Sequence, residues 1–288
     1  MQTWKLIRDV SHRRVAVCLL ALALAAGLSL CVAGCGGGEE ESQAAAGPAK
    51  TAASQPELTP EPTPTPEERR PWSFLGQRAI TTVFPPADVE LYRSLLPEAF
   101  DMPEQPLVAM SVVDYYDVTL PLVPYGEGFV ALQCEYQGRT GWHVLTMPVD
   151  DETSNRGGRS IGFPKYVAGE ITLEAQEGGW LGRVVHEGRT VMEIAFTPQA
   201  GAEPVTESSS EGGTAVFQLV PPGEGPAINE VDTVPSGERR TVTTSGSATV
   251  RADAGEPWAG LLSPEGGTVW ASFQEMTGYW WLEPKQLE

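Results

Sequence analysis

From Ala79 onward the chain is written in short runs of apolar, β-branched and aromatic residues, each cut off by glycine, proline or a polar turn. Ala79–Phe84, Leu107–Val118, Phe129–Tyr136, Trp142–Val149, Gly169–Ala175, Trp180–His186 and Thr190–Thr197 read as strands. Thr214–Val220, Arg240–Thr244, Ser247–Ala252 and Thr268–Phe273 continue the pattern. Gln137–Gly141 and Glu187-Gly188 are glycine-bearing hairpin connections. Helical periodicity is confined to Ala87–Leu96, where Val89, Tyr92, Leu95 and Leu96 share a face and Pro97 stops the run. Pro257–Leu262 reads as a helical turn, and the polar stretches Asp150–Gly158 and Pro198–Gly213 as loops. Many short strands with few short helices predict an α+β, β-dominated domain organised as a barrel or sandwich.

The N-terminus is of another kind. Lys5, Arg8, Arg13 and Arg14 precede the apolar run Val15–Val32, the layout of a secretory signal. The run ends Leu30-Cys31-Val32-Ala33-Gly34-Cys35 and then collapses into glycines and glutamates, which resembles the bacterial lipobox. Cleavage before Cys35 would make residues 1–34 a signal peptide and put a lipid on Cys35. The expected location is therefore outside the cell, anchored to the outer face of the bacterial membrane. Residues 35–70, rich in Pro, Thr, Ala and Glu, cannot bury a core and read as an extended tether. Residues 71–288 are long enough for one domain with a proper core.

Charge then excludes some partners. Loss of residues 1–34 removes four basic residues and Asp9, taking 19 Lys and Arg against 38 Asp and Glu to 15 against 37, a net charge of −22. Such a surface argues against nucleic acid. A lipidated Cys35 leaves Cys134 without a disulfide partner. With only His143 and His186 as further soft ligands, no metal site is expected.

One stretch stands apart: Arg159-Ser160-Ile161-Gly162-Phe163-Pro164-Lys165-Tyr166 holds a lysine behind Phe-Pro, between a glycine-rich turn and a strand. Its Gly158-Arg159-Ser160-Ile161-Gly162 matches the G-x-S-x-G nucleophile elbow, but a polar loop precedes it and Pro164 stands where the elbow's helix would begin, so a serine hydrolase is not expected. The stretch resembles instead the lysine motif of the acetoacetate decarboxylase family. Three other features fit that resemblance: Pro97-Glu98 followed by Pro106-Leu107-Val108, Tyr125-Gly126-Glu127, and the ungapped distance from Glu127 to Lys165.

The resemblance implies a barrel-centred α+β domain that assembles into homo-oligomers, and a lyase that binds a small keto acid without a cofactor. It implies that Lys165 forms a Schiff base and that Glu127 orients substrate or moves protons; the residues alone also allow Glu127 to be a solvated loop glutamate. It puts the arginine for the substrate carboxylate at Arg78, or Gln77 at that position after a one-residue gap. Arg159 holds the turn or touches substrate. Schiff-base chemistry needs a neutral amine, whereas a free lysine titrates near ~10.4; burial or a neighbouring cation supplies the shift, and Phe163, Pro164 and Val167 suit burial. The chain departs from the best-known members in carrying Tyr166 for a second lysine and Ser111 for a second carboxylate. The alternative from another class is a non-catalytic lipoprotein that keeps the barrel cavity for a small ligand.

Overall fold

The computed structural model describes residues 70, 72–209, 215–220, 227–263 and 268–287. The expected signal, Cys35 and the tether up to residue 69 lie outside the described residues. Among the described residues twelve strands follow in chain order: β1 Ser73–Phe84, β2 Val108–Val118, β3 Tyr125–Tyr136, β4 Arg139–Val149, β5 Lys165–Val167, β6 Glu170–Gln176, β7 Gly179–His186, β8 Arg189–Pro198, β9 Val205–Ser209, β10 Val216–Val220, β11 Ala227–Ala252 and β12 Thr268–Leu287. The described residues also form two α-helices, α1 Val89–Leu95 and α2 Glu152–Ser160, and a 3-10 turn at Ala259–Leu261.

Antiparallel pairing runs β4-β3-β2-β1-β12-β11. The path closes through β10, which pairs antiparallel with β11 and meets β4 in one parallel pair, Val216 opposite Trp142. Beyond that ring, the second half of β11 (Gly246–Ala252) pairs with β8, and β7 and β6 follow as an outer sheet. The long strands serve both parts because they bend: the β11–β12 register slips between Ser236 and Arg240, opposite Gly278 at φ 135°, a region that favours glycine.

Strand alternation divides the core in two. In β3, Phe129 and Ala131 face one cluster with Phe74, Val113, Trp142, Val231 and Trp280, contributed by the strands of the ring and so inside it. Val130, Leu132 and Cys134, one residue out of phase, face a second cluster under the outer sheet and α1. Tyr92 of α1, fully buried, donates its hydroxyl to Leu107 O, and Asp88 caps the helix by accepting from Leu91 N–H at 2.9 Å.

The β-dominated fold expected from the runs is the one observed. Three readings change. The polar stretch from Asp150 is mostly helix α2. The predicted loop 198–213 contains β9, which pairs with β11. Glu127 lies within β3, not in a loop, because the strand begins at Tyr125.

At the far end of the ring His143, 8% exposed, holds Phe217 O at 3.0 Å through Nδ1 and packs on Phe100. Burial lowers its pKa from 6.5 to about 4, the Phe217 bond opposing. The neutral ring is therefore favoured in the folded state, and this contribution is complete above pH 6.5 and lost as pH falls towards about 4. The effect is on the order of 3 kcal/mol. Urea unfolding should show the midpoint falling across this window, with a shallower fall in His143→Gln; equal slopes in both proteins would contradict it.

Candidate active site

β4 carries the site between two neighbours. On one side Glu127 of β3 stands opposite Val149; on the other Lys165 of β5 stands opposite Met147. Met147 and Val149 both face the ring interior, so register and alternation send Glu127 and Lys165 to the same side. They meet there: Lys165 Nζ lies 2.6 Å from Glu127 Oε2, with the lysine side chain 7% and the glutamate 1% exposed. Both charges are out of water, which is tolerated because they are paired.

α2 supplies the next contacts. Its sequence, ETSNRGGRS, is a poor helix former, yet Asp151 caps it by accepting from Ser154 N–H at 2.6 Å, and Glu152 and Arg159 suit its two ends. Ser154 and Gly158, four residues apart, share the buried face towards Lys165. Ser154 Oγ accepts from Nζ at 3.1 Å. A Cβ at Gly158 would overlap Cδ and Cε of Lys165, so only glycine leaves the lysine its path.

Tyr115 and Tyr125 stack behind the pair, with ring centroids 4.8 Å apart. Tyr115 Oη donates to Glu127 Oε1 at 3.4 Å, and Nζ lies 5.5 Å from the Tyr125 ring centroid. Burial, and then the Glu127 charge, push both phenols well above their usual range, so they stay neutral. Asp150 Oδ1 accepts from Gly126 N–H at 2.7 Å, fixing the start of β3; burial raises its carboxyl.

Lys165, Glu127, Ser154, Gly158, Tyr115 and Tyr125 form the base of a cavity of about 510 Å³. Buried Phe74, Leu122 and Phe163 wall it, and exposed Arg70, Trp72 and Ser160 stand at its rim. A buried amine beside a carboxylate, under an open apolar cavity, is suited to capturing a carbonyl carbon.

The family model for acetoacetate decarboxylase matches residues 58–277. The chain belongs to the acetoacetate decarboxylase family. Among curated proteins no sequence matches it. Solved structures share its fold: an acetoacetate decarboxylase at 16% identity and TM-score 0.58 covers 75% of this chain and 90% of its own. Acetoacetate decarboxylase from Legionella pneumophila gives 17% identity and 0.57, covering 75% and 88%. The enduracididine biosynthesis enzyme MppR complexed with pyruvate gives 15% and 0.57, covering 76% and 91%.

Within this acetoacetate decarboxylase-family domain, Lys165 and Glu127 come together and the two predicted arginines do not join them. Arg78 sits out of phase with Ala79 of the interior cluster; it pairs with Asp114 on β2 and stacks near Tyr116 and Trp180. Its neighbour Gln77 is the buried residue at this point of β1. Arg159 is exposed in the last turn of α2 and does not line the cavity. Arg70, just before β1, does line it; its guanidinium lies 4.4 Å over the Trp281 ring.

Tyr166 points away from the amine, its ring 4.9 Å from that of His186, as alternation along β5 requires. Ser111 is paired with Phe129, one interior position deeper than Glu127, where its hydroxyl lies 3.0 Å from Thr81 Oγ1. Phe163 buries the lysine, whereas Pro164 and Val167 are exposed and contribute no desolvation. Ser160 ends α2 with its hydroxyl donating to Gly157 O at 2.6 Å, so the elbow geometry is absent there. Sequence reasoning missed Ser154, Gly158 and Arg70. The only signal for the first two was an Asp-Glu-Thr-Ser start that fits a cap.

Replacing adjacent glycines separates helix propensity from packing. Each alanine gains up to about 1 kcal/mol of helix propensity. At Gly157 the atoms nearest the new Cβ all belong to Trp72, from 2.7 Å, the far edge of a side chain 42% exposed. At Gly158 it meets the buried lysine and costs about 1–3 kcal/mol. Urea denaturation should find Gly157→Ala neutral or stabilised and Gly158→Ala destabilised; the reverse order would contradict the packing described.

Proposed function

We propose that this chain is a Schiff-base-forming lyase acting on a small keto acid, acetoacetate being the simplest, through Lys165. The observation that carries the reading is the buried contact of Lys165 Nζ with Glu127 at the base of a cavity, in a domain of this family. MppR, with the same fold, has been obtained with pyruvate bound, which supports a keto acid as ligand.

In this reading Glu127 takes a proton from Nζ, and the neutral amine attacks the carbonyl carbon. The carbonyl oxygen leaves as water, with Ser154 and Tyr115 as hydrogen-bonding neighbours of the two charged groups. The protonated imine then accepts the electron pair released when the C–C bond to the carboxylate breaks and CO₂ departs. The resulting enamine takes a proton on carbon, and one water hydrolyses the imine, returning the amine and a ketone. A second reading, a ligand-binding protein without catalysis, is favoured by the same ion pair, because an ammonium held by a carboxylate has no lone pair to donate.

Borohydride trapping separates the two. The full chain, incubated with acetoacetate or pyruvate and reduced, should carry a mass adduct on Lys165 that Lys165→Ala lacks. Glu127→Gln should slow adduct formation by roughly 10²–10⁴-fold. CO₂ release from acetoacetate would identify the decarboxylase. Adducts absent with both acids, alongside binding of either, would favour the binding protein.

We also propose that the chain is exported and held to the outer face of a bacterial membrane by a lipid on Cys35, a reading supported by the Leu30–Cys35 motif. Labelling with a radioactive fatty acid should mark the wild-type chain and not Cys35→Ser; equal labelling would overturn it.

A further inference from the structure

We infer that the compound this cavity is built for is a monoanionic carbonyl acid with an aromatic or similarly bulky apolar body, its carbonyl at Lys165 and its acid group towards Arg70. The inference rests on the Schiff-base reading of Lys165 and adds a substrate class to it.

Volume is the first observation. The cavity is about 510 Å³, within the ~300–1,000 Å³ range of sites that enclose drug-sized ligands. Acetoacetate has the bulk of about four waters, roughly 120 Å³. It would leave most of the space unfilled. Wall chemistry is the second. Phe74, Leu122, Ile161 and Phe163 present hydrocarbon, and the stacked Tyr115 and Tyr125 present ring faces. Water against such walls is displaced favourably by an apolar group and not by a second polar one. A flat ring also finds edge and face partners in this lining.

Charge is the third. Of the charged residues lining the cavity, Lys165 and Glu127 neutralise each other. That leaves Arg70, which among the described residues has no ion pair. Its guanidinium rests on the Trp281 ring at the rim, and an arginine fork matches a carboxylate bidentately. On a strongly acidic protein, such a cation is where an anionic ligand gains local attraction. One charge is matched; a dicarboxylate would bring a second charge to hydrocarbon walls.

The test compares two pairs that differ by one phenyl group: 4-phenylacetoacetate with acetoacetate, and phenylpyruvate with pyruvate. Trapping on Lys165 of the full chain is measured against concentration. The phenyl acids should reach half-maximal adduct at concentrations at least ten-fold lower. Arg70→Gln should raise the half-maximal concentration of the phenyl acids and leave that of the neutral ketone 4-phenyl-2-butanone unchanged. Equal or tighter saturation by the small acids overturns the class, and an unaltered acid response in Arg70→Gln overturns the role of Arg70. If no acid is trapped, the lyase reading fails by itself. Tryptophan fluorescence titration then decides the cavity's preference: tighter binding of 3-phenylpropanoate than of acetate upholds it, and no difference overturns it.

Discussion

A lysine ammonium and a glutamate carboxylate, 2.6 Å apart and almost sealed from solvent, set the terms for the rest of this structure. Removing either charge from water is costly, and their attraction offsets that only with good geometry and further hydrogen bonds. The fold supplies both. β4 spaces the two strands so that Glu127 and Lys165 face one interior; Tyr115 and Ser154 satisfy the outer atoms of the pair. Replacing a buried ion pair with apolar residues is often neutral or stabilising. Its place at the base of an open cavity is what the proposed chemistry requires, and stability alone does not call for it.

The architecture holds that base between paired strands, with exposed residues at the rim. The same strands β1–β3 carry two cores by alternation: one inside the ring, one under the outer sheet. Inner-face side chains near the start of β1, the end of β2 and the start of β3 form the cavity floor. Phe74, Tyr115, Tyr125 and Glu127 all line it; burial keeps both stacked phenols neutral, and Tyr115 donates to the carboxylate. α2 closes the remaining side.

Much of this was legible in the residues, and what was not has physical reasons. Period-2 runs such as Phe129–Tyr136 marked strands because each has one face in a core. The long β11 read as fragments, since Pro235, Gly237 and Gly246 interrupt it, and cross-strand pairing with β12 overrides those breaks. α2 was hidden by Gly157 and Gly158, whose propensity argues against a helix; the Asp151 cap and the packing on Lys165 outweigh it. Lys165 and Glu127 were legible through a family motif, while their contact depends on strand register, which no local pattern states. Arginine proved the least legible. Arg78 and Gln77 are one residue apart, and that residue decides which face of β1 each occupies; Arg70 stands before the first strand, with nothing around it to mark a site.

The account turns on whether Lys165 Nζ exchanges its carboxylate for a carbonyl carbon. A crystal structure of the full chain soaked with phenylpyruvate and reduced in the crystal would answer this directly. The account predicts continuous electron density from Nζ to the ligand's former carbonyl carbon, with the Glu127 contact opened and the ligand carboxylate towards Arg70. A ligand lying free in the cavity over an intact Lys165–Glu127 pair would contradict it.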